Sequence, residues 1–300
     1  MEKSNASVYH LTFQKCGSQW IRDVLTAPEV AEHVDVRWLG EGGNLMKRGW
    51  PTASPGNFIG PVYHASREDW EHYRQPGDRA VAVIRDPRDR LISWVFSMTY
   101  SHVSNGGTDL IRGPLQKLGI RDSLRIGMDE FSRCFRAYLS WAGGSSDGVY
   151  VTSYEEIVKN ELIEFQKIIG FLEWDVPQAS LESATDRLSF SKRSGRERGD
   201  ENIYSHYRNG KPGDWRRFFD RETGQLWEKH FGGVLTKLGY ESDEDWYLGL
   251  PEQLNDLPQI DTSESLHEIR AENARLREQN AELQRGIAAT RMALDAERNQ

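Results

Sequence analysis

The sequence predicts an α/β protein in which a central parallel sheet is flanked by helices. Apolar and β-branched runs at residues 7–13, 79–84 and 148–153 have the length and composition of buried strands, and a helical pattern follows each run. Strands that alternate with helices form parallel sheets, because each helix crosses one face of the sheet before the next strand begins. We therefore expect residues 1–240 to form one α/β domain without internal repeats.

Length and composition fit a soluble chain with a sizeable core. The 300 residues are 37% hydrophobic and 28% charged, and no run of about 18 apolar residues is present, so we expect no membrane span. The N-terminus enters a strand-like stretch with no signal-peptide core before it. The two cysteines, Cys16 and Cys134, form no metal or disulfide pattern. These features predict a cytoplasmic protein.

The formal net charge of −8 is concentrated near the C-terminus. Residues 241–264 contain eight acidic residues and no Lys or Arg, and residues 265–300 contain six residues of each sign. Residues 1–240 are therefore neutral overall, with 32 residues of each sign. Nucleic-acid binding needs a basic face, so we expect no nucleic-acid partner. The basic clusters at 187–198 and 208–217 are either solvated faces or a site for a small polyanion.

Three segments depart from the strand–helix pattern. The Gly- and Pro-rich stretch 38–61 is typical of a long loop or lid. Residues 241–264, which include Pro251 and Pro258, are typical of an acidic linker. Residues 265–300 have the pattern of a separate helix.

A heptad repeat begins at Leu266. A lone amphipathic helix packed on its own domain rarely keeps a 3.5-residue spacing over four turns, so we favour a coiled-coil helix. Asn residues in such a seam fix the register of parallel dimers at some cost in stability, which predicts a homodimer. One seam position of the heptad is occupied by Leu266, Asn273, Asn280, Ile287 and Leu294. The other is occupied by Ile269, Leu276, Leu283 and Thr290.

The first candidate binding element spans residues 11–25 (LTFQKCGSQWIRDVL). It combines a strand, a tight glycine turn and a helix start, whose free N–H groups attract anions. Lys15 adds a full positive charge and Ser18 a hydroxyl. The loop is not that of the nucleotide triphosphatases, because Gly-x4-Gly-Lys-Ser/Thr is absent. Alone, a Lys-x-Gly turn is more often only a turn.

A second element spans residues 80–93 (AVAVIRDPRDRLIS). Its strand ends at Arg85, and Ser93 falls two turns into the helix that follows, on roughly the face that Arg85 approaches. The alternative is that Arg85 pairs with Asp86 or Asp89 and Ser93 merely packs.

A third element spans residues 207–219 (YRNGKPGDWRRFF), a basic glycine loop that runs into a helix capped by Asp214. In their order and spacing, the three elements resemble the signature of the cytosolic-type sulfotransferase family. That family opens with Lys-Ser-Gly-Thr-Thr-Trp, continues with Arg-x-Pro-x-Asp-x-x-x-Ser and closes with Arg-Lys-Gly-x-x-Gly-Asp-Trp. The resemblance covers about residues 6–240 and extends to Tyr-Glu-Glu at 154–156 and Leu-Ser-Phe at 188–190.

The resemblance implies a P-loop-like sulfotransferase fold and transfer of a sulfuryl group from 3′-phosphoadenosine 5′-phosphosulfate (PAPS) to a hydroxyl or amine. The acceptor it implies is a small molecule or a glycan, and no metal is implied, because Lys15 can neutralise the charge on the leaving group. The donor-binding residues that it implies are Lys15, Gly17, Ser18, Gln19 and Trp20 for the 5′-phosphosulfate, Arg85, Ser93, Arg208 and the backbone at Gly210 for the 3′-phosphate, and Trp20, Tyr154 and Phe190 for adenine.

The catalytic residues that the resemblance implies are Lys15, His64 and Ser93. His64 lies 21 residues before Arg85, close to where the family keeps its catalytic histidine. A histidine suits this role because it is neutral near pH 7 and can accept a proton from an acceptor hydroxyl. A carboxylate of the predicted lid, such as Glu41, is the alternative base.

The chain departs from the family pattern at Cys16, Gln19 and Asn209, where the family has Ser, Thr and Lys. Cys16 at a helix start is a candidate nucleophile, but direct transfer in the family favours a small packed residue. Two other classes remain open. A P-loop nucleotide kinase shares the strand–loop–helix opening, and a noncatalytic nucleotide-binding scaffold would act through its coiled coil.

Overall fold

A parallel sheet forms the centre of the protein. The computed structural model describes residues 6–40, 42–44, 49–51, 56–102 and 106–254. Within these ranges six strands pair in the order β2-β4-β1-β5-β6, with β3 also on the outer edge of β4, and every pairing is parallel. The strands are β1 (Val8–Thr12), β2 (Arg37–Trp38), β3 (Gly43–Asn44), β4 (Asn57–Tyr63), β5 (Arg79–Ile84) and β6 (Val149–Ser153).

Helices flank this sheet, which confirms the predicted fold class. None of the helices in the described ranges is long and apolar enough to cross a membrane. They are α1 (Ser18–Leu25), α2 (Pro28–Ala31), α3 (Arg67–Tyr73), α4 (Pro87–Phe96), α5 (Gly106–Lys117), α6 (Ile120–Ser132), α7 (Phe135–Leu139), α8 (Tyr154–Lys159), α9 (Glu161–Phe171), α10 (Gln178–Arg187), α11 (Phe190–Ser194), α12 (Arg221–Phe231) and α13 (Val234–Lys237). A π-helical turn (Ser97–Ser101) and 3₁₀ turns at Ser140–Gly143, Asp214–Arg217 and Trp246–Gly249 complete the elements.

The core is apolar on both faces of the sheet, as expected for parallel strands that helices cover. Successive side chains of a strand point to opposite faces, so Val81 and Val83 pack with α1 and α9, whereas Ala80 and Ala82 pack against Trp70 of α3 on the other face. A third apolar cluster joins α4, α6, α7 and α12. These three clusters hold the strand ends at fixed positions.

The stretch 38–61, predicted as a loop or lid, contains β3 and most of β4. Its Gly and Pro content obscured the strand, whose Phe58, Ile59 and Val62 are buried. The pairing of β1 with β4 shifts register between Tyr9 and Leu11. Because that shift lies opposite Gly60-Pro61, the proline sits where the hydrogen-bond ladder is interrupted, which is where a central strand tolerates it.

The sheet order creates a crevice at the carboxyl ends of β1 and β5. These two strands are neighbours, but the chain leaves β1 towards β4 and leaves β5 towards β6. Ligands bind α/β sheets at such a switch point, because the connections diverge and leave the strand ends open. The loops after β1 and β5 carry the first two predicted binding elements, so the topology brings them side by side.

Residues 241–254, the described part of the predicted linker, lie against the α/β domain. The side chain of Arg88, only 1% exposed, pairs with Asp86 at 2.7 Å and with Glu241. Its guanidinium carbon lies 3.7 Å from the ring centroid of Trp215 and 4.6 Å from that of Trp246. The predicted domain boundary at 240 stays a prediction. The predicted coiled coil at 265–300 lies outside the described residues.

Candidate active site

One cavity of about 440 Å³ opens at the switch point. Every residue predicted to bind the donor lines it, although these residues come from five separate parts of the chain. His64, the predicted base, is not among the lining residues. The lining residues are Gln14, Lys15, Gly17, Ser18, Gln19, Trp20, Tyr63, Arg85, Ser93, Met98, His102, Tyr154, Leu188, Phe190, Arg193, Arg198, His206, Tyr207, Arg208, Asn209 and Gly210.

The loop between β1 and α1 has a conformation that requires glycine. Gly17 has a φ of 79°, and a β-carbon placed on it would come within 3.0 Å of the Tyr154 ring. Helix α1 then begins at Ser18 without a side-chain cap, so its first N–H groups remain directed at the loop. The Ser18 hydroxyl shares a hydrogen bond of 3.0 Å with the Tyr63 hydroxyl, which joins this loop to the end of β4.

Lys15 is a partly buried cation among other cations. Its Nζ donates a hydrogen bond of 3.0 Å to the Ser97 hydroxyl, one helical turn beyond Ser93. Burial, together with the positive charges of Arg85 and Arg208, lowers the pKa of Lys15 to about 8. An anion in the cavity would therefore bind next to a group whose positive charge is poorly compensated.

Arg85 is fixed at the end of β5. Its backbone N–H donates to the Tyr138 hydroxyl at 2.8 Å, and its Nη1 donates to the carbonyl of Lys15 at 3.1 Å. Its Nη2 lies 3.8 Å from the carboxylate of Asp89, which realises one of the two ion pairs considered from the sequence. The Nε of Arg85 is buried without a hydrogen-bond partner. The Nε–H of Arg85 thus remains available to donate to an anion.

The third element encloses the cavity from the other side. Gly210 has a φ of 70°, and a β-carbon on it would lie 2.5 Å from the Phe190 ring. Arg208 pairs with Glu201 and Asp214, while its Nε is buried without a partner. Asp214 also accepts a hydrogen bond of 2.9 Å from the Asn209 amide, at the position where the sequence departs from the family.

Aromatic residues line the remaining side of the cavity. The rings of Trp20 and Tyr154 meet edge to face with centroids 6.2 Å apart. The Tyr154 hydroxyl donates to the carbonyl of Gly210 at 2.9 Å, and the guanidinium carbon of Arg85 lies 4.4 Å from the Tyr154 ring. A flat base and a phosphate group can therefore bind close together here, since Tyr154 contacts both parts of the wall.

The three histidines near the cavity differ in position. His64 is buried, with its ring 5.6 Å from that of Phe13, and burial together with Arg90 lowers its pKa to about 4. His102 and His206 line the cavity. His206 is exposed, and the positive charge of Lys15 is the main cause that lowers its pKa to about 3. Both His64 and His206 are therefore neutral at pH 7.

Cys16 is buried and does not line the cavity. Burial raises the pKa of its thiol to about 11, so the thiol is protonated at neutral pH. This state favours its interpretation as a packed residue over a nucleophile, because the thiolate is the reactive form. Within the described ranges, no three His, Cys, Asp or Glu side chains cluster as metal ligands.

Several lining residues were not singled out from the sequence. Arg193 and Arg198 belong to the basic cluster at 187–198, and that cluster was the only signal for them. Leu188 and Tyr207 lie in quoted elements but were given no role. Tyr63, Met98, His102 and His206 carry no local signature, because only the tertiary fold brings them to the cavity.

The family model of the sulfotransferase domain matches residues 73–239, which is more than half of the chain. The chain belongs to the sulfotransferase family. The matched part of this sulfotransferase includes Arg85, Ser93 and Arg208 and begins after Lys15 and His64.

A solved sulfotransferase shares the fold. The crystal structure of mouse sulfotransferase SULT7A1 complexed with PAP has a TM-score of 0.55 and 17% identity, over 77% of this chain and 85% of that chain. The crystal structure of retinol dehydratase in complex with androsterone and inactive cofactor PAP has a TM-score of 0.48 and 16% identity, over 80% of this chain and 84% of that chain. Comparison with curated protein sequences gives no match.

Proposed function

We propose that this sulfotransferase transfers the sulfuryl group of PAPS to an acceptor hydroxyl or amine. The observation that carries the proposal is the convergence of Lys15, Arg85 and Arg208, from three separate elements, on one cavity with an aromatic wall. The structure of mouse SULT7A1 contains PAP, which is adenosine 3′,5′-bisphosphate, the product that PAPS leaves after transfer. A nucleotide with two separate phosphate positions matches this distribution of cations.

The cavity walls fit such an anion. Arg85 Nε, Arg193 Nη1 and Arg208 Nε are buried without hydrogen-bond partners. Buried donors are nearly always satisfied in proteins, so three guanidinium nitrogens without partners, one on each arginine, point to acceptors supplied by a ligand. Phosphate oxygens suit them because charge-assisted hydrogen bonds to Arg are short and strong.

Lys15 is the proposed source of leaving-group stabilisation. In the transfer, a bond forms between the acceptor oxygen or nitrogen and sulfur, and the bond from sulfur to the 5′-phosphate oxygen breaks. Negative charge grows on that phosphate oxygen. The ammonium of Lys15, in the loop before the N-terminus of α1, stabilises this charge. Ser93 lines the same wall, and we propose that its hydroxyl holds the 3′-phosphate with Arg85.

A histidine is the proposed acceptor of the proton released by the acceptor group. His64 is the residue predicted from the sequence, and His206 is the residue that the cavity offers next to Lys15. The position of His206 in the cavity wall favours it, because a base must come within hydrogen-bond reach of the proton it removes. His64 is the alternative, and the same experiment tests both.

The expected partners follow from the sequence and belong to the same proposal. We expect a small-molecule or glycan acceptor, a cytoplasmic location and a homodimer formed by residues 265–300. A kinase would instead bind ATP with Mg²⁺, and a scaffold would bind nucleotide without transfer.

Thermal unfolding with different nucleotides tests this function. PAP without metal should raise the melting temperature, because a ligand bound only by the native state stabilises it, whereas ATP with Mg²⁺ should not. The Arg85→Ala variant should lose most of the shift caused by PAP and little of that caused by adenosine 5′-monophosphate. Radiolabelled PAPS with a mixed acceptor library should then yield labelled product. A shift with ATP alone would indicate a kinase, and PAP binding without transfer would indicate a scaffold.

A further inference from the structure

Arg198 lines the predicted nucleotide site, although the sequence placed it only in a basic cluster. Its guanidinium carbon is 5.2 Å from the ring centroid of Trp20 and 5.1 Å from that of Phe190. Trp20 and Phe190 are two of the three rings predicted to contact adenine, and Tyr154 is the third. A planar guanidinium can pack on both rings, and each such contact is attractive.

The hydrogen bonds of Arg198 connect three further parts of the site. Its Nη1 donates to the carbonyl of Gly210 at 3.0 Å and to the hydroxyl of Tyr154 at 3.3 Å. Its Nη2 donates to Glu161 at 2.6 Å, at the start of α9. The Tyr154 hydroxyl donates to the same Gly210 carbonyl at 2.9 Å, so these groups form a closed triangle.

The triangle joins the two halves of the donor site. Tyr154 belongs to the predicted adenine side, and Gly210 belongs to the loop predicted to hold the 3′-phosphate. The chain between Phe190 and Gly210 contains no helix after α11. Backbone hydrogen bonds from Gly199 to Asn209 and from Asn202 to Arg208 hold the loop locally. The side chains of Arg198 and Tyr154 connect it to the adenine side, and Arg198 alone of these two also reaches Glu161.

We propose that Arg198 is a positioning residue. It sets the distance between the residues that contact adenine and the loop that binds the 3′-phosphate. This inference rests on the proposed function of the cavity. Arg198 acts through Gly210 and Tyr154, and its positive charge is already paired with Glu161. The selectivity for a nucleotide with a 3′-phosphate over one without it is therefore the property that Arg198 controls.

Charge and geometry make different demands at this position. A lysine keeps the charge, but its single ammonium on a flexible stem cannot reproduce the planar fork that reaches Gly210, Tyr154 and Glu161 together. A methionine keeps the length and apolar packing on Trp20 and Phe190 and removes the donors. If Arg198 served only to attract phosphate, lysine would replace it.

The test measures the dissociation constants of PAP and adenosine 5′-monophosphate with the full chain and its Arg198→Lys and Arg198→Met variants. Both variants should bind PAP about tenfold or more weakly, with a much smaller loss for adenosine 5′-monophosphate, so the preference for the 3′-phosphate falls. Arg187→Ala is the matched control, because Arg187 lies in the same basic cluster, pairs with Glu29 on the surface and does not line the cavity.

Wild-type affinity in the Arg198→Lys variant would show that charge alone is used and would overturn the proposal. Equal losses for both nucleotides would overturn it as well, because the preference would be unchanged. Should Arg198→Met not fold, Arg198→Lys and Tyr154→Phe make the same comparison, since Tyr154→Phe removes the hydroxyl from the triangle. If the wild-type chain itself binds no PAP, the proposed function fails, which is a distinct result.

Discussion

The carboxylate of Asp89 accepts a hydrogen bond of 2.6 Å from the backbone N–H of Gly213, 124 residues away in the chain. The same carboxylate accepts a second one, of 2.8 Å, from the N–H of Trp215. Asp89 also faces Arg85 at 3.8 Å. A single buried side chain thus holds the basic glycine loop against the end of β5, so the second and third elements form one wall of the cavity.

Replacement of Asp89 by Asn tests this connection. The Asn amide offers one acceptor oxygen, and its NH₂ group would face a backbone N–H, so one buried donor would lose its partner. We expect the free energy of unfolding in urea to fall by about 2–3 kcal/mol and PAP to bind more weakly. The control is Asp122→Asn on α6, an exposed carboxylate that pairs with Arg125. Equal stability of the two variants would contradict the bridging role.

The wall itself could be predicted from sequence only in part. Lys15, Arg85 and Arg208 each lie in a local signature that fixes both the residue and the turn around it. Arg198 and His206 have no such signature, because their positions depend on how the segment after α11 folds over the sheet. Strand β4 was missed for a related reason, since the local preference of Gly60-Pro61 for a turn is overridden by pairing on both sides.

The lowered pKa of Lys15 makes donor binding dependent on pH. Its pKa is about 8 in the folded protein, against an ordinary value of 10.5. A bound polyanion offsets the charges of Arg85 and Arg208 and so raises this pKa again. Between about pH 8 and 10, PAP binding should therefore take up a proton and weaken as pH rises. Calorimetry in buffers with different ionisation enthalpies measures this uptake.

The Lys15→Ala variant should show no proton uptake in that range. Its turnover should fall by about 10²–10³-fold, more than its PAP affinity, because the ammonium acts mainly on charge that develops during transfer. Lys159→Ala, on the exposed surface of α8, serves as the control. Uptake that persists without Lys15 would assign the titration to another group.

The pH dependence of turnover distinguishes His206 from His64. The pKa of His206 is low mainly because of Lys15, so a bound donor should raise it, whereas the pKa of His64 is low mainly because of burial and should stay near 4. With His206 as base, the acid limb of kcat lies at higher pH than that of kcat/KM for the donor. His206→Asn should lower kcat by about 10²–10⁴-fold.

His64→Asn and His230→Asn complete the comparison, the latter on the exposed face of α12, where His230 bonds to the carbonyl of Leu226. Coincident acid limbs near pH 4, lost only in the His64 variant, would return the role to His64. Normal turnover in both the His206→Asn and the His64→Asn variants would assign the role of base to another residue, such as a carboxylate.

The last prediction concerns the C-terminal segment, in which residues 241–254 and residues 265–300 are expected to have different roles. Residues 241–254 supply Glu241 and Trp246 to the buried guanidinium of Arg88, which also contacts Trp215 beside the Asp214–Arg217 turn. A chain that ends at residue 240 leaves Arg88 without Glu241. Its free energy of unfolding should fall by about 3 kcal/mol or more, as for other broken buried ion pairs, and PAP should bind more weakly.

A chain that ends at residue 254 keeps these contacts and should equal the full chain in stability and donor affinity. It should differ in oligomeric state, since the heptad repeat that begins at Leu266 predicts a parallel dimer of the full chain. A coiled coil of this length with two seam Asn residues is marginal, so the dimer should form only as concentration rises. Light scattering over a concentration series measures this. The dimer hypothesis is wrong if the two chains show the same oligomeric state throughout the series. The contact with Arg88 is unimportant if the chain ending at 240 is as stable as the one ending at 254.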